Sequence, residues 1–179
     1  HGWIDDSRLA ELPDKVGNID YDQVSGTKLP LLTEAAHNFM DRAHPGARAS
    51  FDRFSSDNAW WLDDFVLFDA LRDRNNKKAW NEWEPALVRR TPAALERVRE
   101  QLREETEAHM FYQFLFFRQW FALKSYANDR GIRVVGDLPI FVAQDSADVW
   151  TNPEQFKLDK NGVPLWRCFQ SRRPPASSP

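Results

Sequence analysis

Three side chains between Gly131 and Trp150 have types and spacing suited to chemistry on a polar ligand: Asp137, Asp145 and Trp150. Asp137 follows Gly136 and the apolar, β-branched positions Ile132, Val134 and Val135. Such a run has the character of a strand buried on both faces. Pro139 cannot donate to a ladder, so regular pairing is expected to stop where the carboxylate begins. An acid at the carboxyl end of a parallel strand is where α/β enzymes keep their sites. A carboxylate there can equally be structural, bonded to backbone or to an arginine, and both readings stand for Asp137. Asp145 and Ser146 form a natural capping pair for the helical turn that follows. Trp150 can present an aromatic face to a ligand or anchor its loop to the core.

The elements that must position these residues are mostly helices. Residues 1–26 contain a short amphipathic piece around Ser7 to Leu12 and the breakers Pro13, Gly17 and Gly26, which reads as a connecting segment. From Leu31 to Ala43, apolar residues fall on one helical face, and Pro45 and Gly46 are expected to end that helix. Asp57 is a good N-cap for a second helix carrying Trp61, Phe65, Phe68 and Leu71, with Trp60 and Val66 widening its apolar side. Asp63, Asp64 and Asp69 suggest paired catalytic acids, but acids on the outer face of an amphipathic helix are ordinarily solvated. Trp80 and Trp83 sit in a predicted loop before Pro85 and either pack inward or lie on the surface. Thr91 and Pro92 make a strong helix start, with no breaker until Gly131. The first half of that helix is charged; the second, from Met110 to Leu123, is apolar around nearly its whole circumference and must be packed inside something. A helix, a glycine stop and a buried strand make half of a βα repeat, and a single strand cannot form a sheet.

Composition narrows the function classes. The 179 residues, 42% of them hydrophobic, suffice for one ordinary core. A net charge of −3 points to neither nucleic acid nor an anionic membrane surface. No apolar run approaches the roughly 20 residues of a membrane span. The amino terminus lacks the charged and apolar regions of a secretory signal. The single cysteine, Cys168, cannot form an internal disulfide, which agrees with a reducing, cytoplasmic location.

The string GDLPIFVAQDSADVWTNPEQFKLDKNGVP, residues 136–164, closely resembles a segment of the 4-α-glucanotransferases, the amylomaltases or disproportionating enzymes of glycoside hydrolase family 77. Weaker similarity runs upstream through YQFLFFRQWFALKSYANDRGI and DNAWWLDDFVLFDAL, so that the resemblance covers most of Gly2 to Pro164. It implies an α/β fold: a mostly helical fragment of a (β/α)8 barrel. Residues 1–90 would be an inserted helical subdomain, and 91–164 a barrel helix, a barrel strand and the start of its following loop. The implied activity is transfer of α-1,4-glucan segments between malto-oligosaccharides by a retaining mechanism, with no cofactor and no metal. Such transfer uses a carboxylate nucleophile and an acid/base about 5 Å apart. In this family these lie in motifs like RIDHFRG and AEDLG, with a third acid in one like HDN. None occurs here, nor does the amino-terminal WQ-x-LP motif. The resemblance therefore implies an internal fragment without catalytic residues, inactive alone. In it Asp137 supports the active-site network from below, and Asp137, Asp145 and Trp150 are the candidates for lining the glucan site.

After Pro164 the text LWRCFQSRRPPASSP departs from the family's continuation, which resembles VAGVPPDYFS. Residues 165–179 have the composition of a disordered tail. A shifted reading frame would explain Trp166 and Arg167 and make Cys168 accidental, removing most of the redox argument. The alternative to a partial transferase is a non-catalytic helical module that binds glucan or a protein partner. Oligomeric state is not legible.

Overall fold

The computed structural model describes residues 2–9, 19–137 and 141–165. Pro13, Gly17, Pro139 and almost all of the divergent tail, Cys168 included, lie outside the described residues. The described elements are helical: α1 (Asp6–Leu9), α2 (Tyr21–Arg42), α3 (Pro45–Arg74), α4 (Pro85–Val88), α5 (Pro92–Gln101), α6 (Arg103–Asn128) and α7 (Ala147–Thr151), with 3₁₀ turns at Trp80–Glu82 and Pro153–Gln155.

The helix predicted from Leu31 begins ten residues earlier, at Tyr21, because Asp20 caps it by accepting from the Gln23 N–H at 3.1 Å. Gly26 and Pro30 therefore sit inside α2, on turns exposed to solvent, where water can serve the carbonyl that Pro30 leaves without a donor. Pro45 and Gly46 do not merely follow a helix. His44 Nδ1 accepts from the Ala47 N–H at 3.2 Å and Pro45 takes the first helical position, where its missing N–H costs nothing. They open α3, whose 30 residues run to about 45 Å. Asp57, expected as an N-cap, is an exposed residue in mid-helix. Trp60, expected to widen the buried side, is 84% exposed; Leu62, Val66, Leu67, Phe68 and Leu71 form the buried stripe.

Three of these helices stop in the same way. Lys77 N–H reaches Arg72 C=O and Asn76 N–H reaches Asp73 C=O; Thr91 to Ala86 with Arg90 to Leu87, and Ile132 to Ala127 with Gly131 to Asn128, repeat the pattern. Each is a Schellman stop with a left-handed residue at its centre: Asn76 (φ 56°), Arg90 (φ 50°) and Gly131 (φ 73°). The glycine stop predicted at Gly131 is thus present. The expected unbroken helix from Pro92 to Gly131 is not. Leu102, at φ −113° and 5% exposed, turns into the core and divides it into α5 and α6.

Two apolar clusters hold the helices together. One joins Leu67, Phe68 and Leu71 of α3 to Trp80, Trp83, Leu87, Leu95, Val98, Leu102, Val149 and Trp150. The other joins Ala35, Ala36 and Phe39 of α2 to Phe51 and to Ala108, Phe111 and Phe114 of α6. Phe39 stands at its centre, with ring centroids 4.8 Å from Phe111 and 5.4 Å from Phe51. Trp80 and Trp83 both pack inward.

Two expectations need correction. The second half of α6 is not enclosed: beyond Phe114 it exposes Phe116, Phe121, Leu123 and Tyr126 to more than half of their surface. The predicted strand at Ile132–Val135 is absent, and residues 132–137 belong to no helix or ladder. Among the described residues the sole β-pairing is an isolated bridge between Leu158 and Pro164, so no neighbouring strand exists to accept this segment's backbone groups. The mostly helical part of the expected fold is observed; the barrel is not visible within the described residues. Nor is any described helix long and apolar enough to cross a membrane.

Candidate functional site

The three candidate residues lie on one stretch of chain but in three different environments. Asp137 is exposed and carries no hydrogen bond or ion pair among the described residues. Its segment is fixed at both ends, by the Schellman stop at Gly131 upstream and by a docked loop that begins at Gln144 downstream.

Asp145 is part of that dock. One oxygen accepts from the Trp80 backbone N–H at 3.2 Å, and the other pairs with Arg72 at 3.3 Å. It therefore caps the 3₁₀ turn at Trp80, 65 residues away, not the helix that follows it. Ser146 alone caps α7, accepting from the Val149 N–H at 3.4 Å. The neighbouring Gln144 works from both ends: its carbonyl accepts from Trp80 Nε1 at 2.8 Å, and its amide donates to Gly162 C=O at 2.9 Å. Gly162 closes the dock. At φ 74° it rests against the Trp80 ring so tightly that a Cβ would lie 2.5 Å from Cη2. Asp159 holds the intervening turn by accepting from Asn161 and Val163 N–H.

Trp150 is completely buried, so in this structure its ring offers no face to a sugar and serves as the loop's anchor. Its Nε1 donates to Leu87 C=O at 3.0 Å, and Trp83 and Phe68 pack against it at centroid distances of 5.6 and 5.9 Å. The Arg90 guanidinium lies 4.1 Å over the ring and pairs with Asp64 at 2.7 Å.

Of the acids of α3, Asp63 is exposed as expected, whereas Asp64 and Asp69 are partly buried. Asp64 is half-buried between Arg90 and, at 3.7 Å, Arg99. Burial pushes the Asp63 carboxyl up, with Arg99 pulling it back. Burial also pushes Asp69 up, against the pull of His109, whose Nδ1 lies 3.8 Å away while Nε2 lies 3.6 Å from Asp73. Asp64, Asp69 and Asp73 join α3 to neighbouring elements through Arg90, Arg99 and His109, and Asp73 also lines an open cleft with Glu104 and Glu105. Among the described residues no cluster of His, Cys, Asp or Glu could hold a metal ion.

Sequence reasoning missed Arg90 and Gly162 and left Trp80 open between core and surface, and these three residues carry the dock. Gly162 was legible only as one position in the family-like string that ends at Pro164. The signal for Arg90 was the short interval from Pro85 to Pro92, which demands a left-handed residue at its end and finds an arginine there.

Comparison with known proteins accounts for the arrangement. The family model described as 4-alpha-glucanotransferase matches residues 4–166. A 4-alpha-glucanotransferase of Thermus thermophilus is 46% identical over 148 residues, 83% of this chain and 30% of that protein. One from Synechocystis is 40% identical over 159 residues, 88% of this chain and 32% of that protein. The solved structure of the amylomaltase from Streptococcus agalactiae, in complex with acarbose, superposes with a TM-score of 0.85 at 36% identity. That superposition covers 92% of this chain and 33% of the amylomaltase. This chain spans about a third of the length of the relatives it matches, and it belongs to the 4-alpha-glucanotransferase family, glycoside hydrolase family 77.

Proposed function

We propose that this chain is the part of a 4-alpha-glucanotransferase that forms one wall of the glucan site. In the whole enzyme, α-1,4-glucan segments pass between malto-oligosaccharides through a covalent glycosyl-enzyme intermediate, without metal or cofactor. The observation that carries the reading is the family match across residues 4–166 together with the superposition on an amylomaltase whose structure was solved with acarbose. On this reading residues 91–164 supply a barrel helix and a segment, 132–137, that becomes a barrel strand only where neighbouring polypeptide of the whole enzyme offers it a pairing edge, residues 1–90 supply an inserted helical subdomain, and the protein works in the cytoplasm.

Asp137 is the residue assigned to the site itself. Its exposure and the lack of a partner among the described residues support a carboxylate available to a sugar hydroxyl or to a neighbouring catalytic group. Asp145 and Trp150 take part indirectly, by fixing the loop that follows Asp137. The nucleophile and the acid/base are assigned to polypeptide outside this sequence, since neither motif occurs in it. The chain alone is then inactive.

The test is incubation of the purified 179-residue chain with maltotriose. Release of glucose with longer oligosaccharides would overturn the assignment of catalysis elsewhere. The expected result is no turnover, with retardation on immobilised amylose that Asp137→Ala weakens. Retardation that Asp137→Ala leaves unchanged would favour the non-catalytic module, a reading supported by the two core clusters that the chain closes by itself.

A further inference from the structure

Arg90 combines features that a helix stop does not require. Its backbone is left-handed at φ 50°, a conformation that favours glycine or asparagine and strains a long side chain. Its side chain is only 18% exposed, so the charge is largely removed from water. One guanidinium nitrogen, Nη1, is buried with no hydrogen-bond partner among the described residues. Three unfavourable features at one residue persist only where other contacts over-determine its position. Two contacts do so: Nη2 pairs with Asp64 of α3 at 2.7 Å, and the guanidinium carbon Cζ lies over the Trp150 ring, 4.1 Å from its centroid. Trp150 is the buried anchor of the loop from Gln144 to Leu165, whose other end is tied to Trp80.

We propose that Arg90 is a positioning residue: a latch that clamps the Trp150 loop between α3 and the α4–α5 junction, and so sets where the chain after Asp137 is held. An arginine suits the task because its planar, weakly hydrated cation stacks on an indole face while still donating to a carboxylate. A lysine could do one or the other. The bearing of the latch on glucan rests on the function proposed above, but the latch itself is a property of the loop and is measured without any sugar.

Arg90→Gly separates the two explanations for this residue. Glycine relieves the left-handed backbone, so if the arginine were incidental the variant would hold its loop at least as well as the parent. As a latch, its loss opens the loop locally. Native-state amide exchange is then expected to accelerate by about tenfold or more at Val149, Trp150 and Asn152, with Phe39 and Phe111 in the other cluster unchanged. The near-ultraviolet circular dichroism of the Trp83–Trp150 pair is expected to weaken with it. Arg90→Lys should accelerate the same amides by less, a partial rescue through charge alone. Unchanged exchange at Val149 and Trp150 in Arg90→Gly, or a uniform acceleration in both clusters, would overturn the proposal. Should the glycine variant fail to fold, the lysine variant gives the same decision, since local acceleration supports the latch and uniform acceleration refutes it. Failure of the parent chain to be retarded on amylose would remove the glucan reading and leave this readout intact.

Discussion

Gly162 and Gly131 share a backbone and differ in their surroundings, which makes them a controlled pair. Both are left-handed, at φ 74° and 73°, so alanine at either position meets the same steric penalty of about 1–2 kcal/mol. Both substitutions also stiffen the unfolded chain alike, by about 0.4–1 kcal/mol in the opposite direction. These contributions cancel between the two variants. What remains is the space around the new methyl group. At Gly131 nothing lies within 4 Å of it; at Gly162 it would meet Trp80 Cη2 at 2.5 Å, Cζ3 at 3.0 Å and Cζ2 at 3.1 Å.

The indole cannot swing aside. Trp80 is 2% exposed, its Nε1 donates to Gln144 C=O and its backbone N–H to Asp145, so moving the ring breaks the dock. Overpacking against so rigid a neighbour costs about 1–3 kcal/mol. Thermal unfolding followed by far-ultraviolet circular dichroism should therefore place Gly162→Ala below Gly131→Ala by roughly 2–12 °C for a chain of this size. Equal melting temperatures would show that the loop yields to the methyl group, and the claim of a rigid dock between Trp80 and Gly162 would fail.

Four further substitutions probe neighbouring parts of the same framework. Asp145→Ala leaves the Trp80 N–H and Arg72 without their acceptor and is expected to cost about 1–3 kcal/mol in urea unfolding, whereas Ser146→Ala loses only a long cap on a short helix, about 0.5–1 kcal/mol; the reverse order would refute the assignment of their roles. Trp150→Phe keeps an aromatic ring but strands the buried Leu87 carbonyl, with an expected cost of about 1–3 kcal/mol, and a neutral result would mean that water replaces the indole donor. Asp69 has a carboxyl pushed up by burial, so the folded chain binds that proton more tightly than the unfolded chain, and this group's contribution falls as pH rises from 3.8 through the raised native value. Relative to the parent, Asp69→Asn should therefore melt higher at pH 7 than it does at pH 3, and a difference independent of pH would contradict the burial.

The helices and most of the core were legible from periodicity, but their boundaries were not, for identifiable reasons. Proline at Pro45 reads as a terminator until His44 is seen to cap the next turn, since the same residue type serves the start of one helix and the end of another. Leu102 breaks a strongly helical sequence without glycine or proline, because burying one leucine in the first cluster outweighs continuing the hydrogen-bond series. The site was legible only as a neighbourhood. Asp145 looked like a local cap and proved to cap a turn 65 residues away, and such long-range partners leave no trace in spacing along the chain. The strand prediction at Ile132–Val135 rested on residue type alone. A ladder also needs an adjacent strand, and no described segment supplies one.

The three Schellman stops show how one backbone requirement is met with or without a second task. At Gly131 the stop ends α6 and nothing surrounds the position, so the smallest residue suffices. At Asn76 the short amide tolerates the left-handed turn and Asn75 beside it donates to Leu71 C=O, reinforcing the end of α3 locally. At Arg90 neither economy of strain nor a local bond explains the choice, and the side chain instead reaches out of its own turn to Asp64 and Trp150. Lys77, also left-handed at φ 61° in the α3 stop, pairs back with Asp73 of its own helix, so of the two long left-handed side chains only Arg90 holds another segment. That segment follows Asp137, the exposed carboxylate between two fixed ends, so a strained helix terminus in one part of the chain helps determine how a polar group in another is presented.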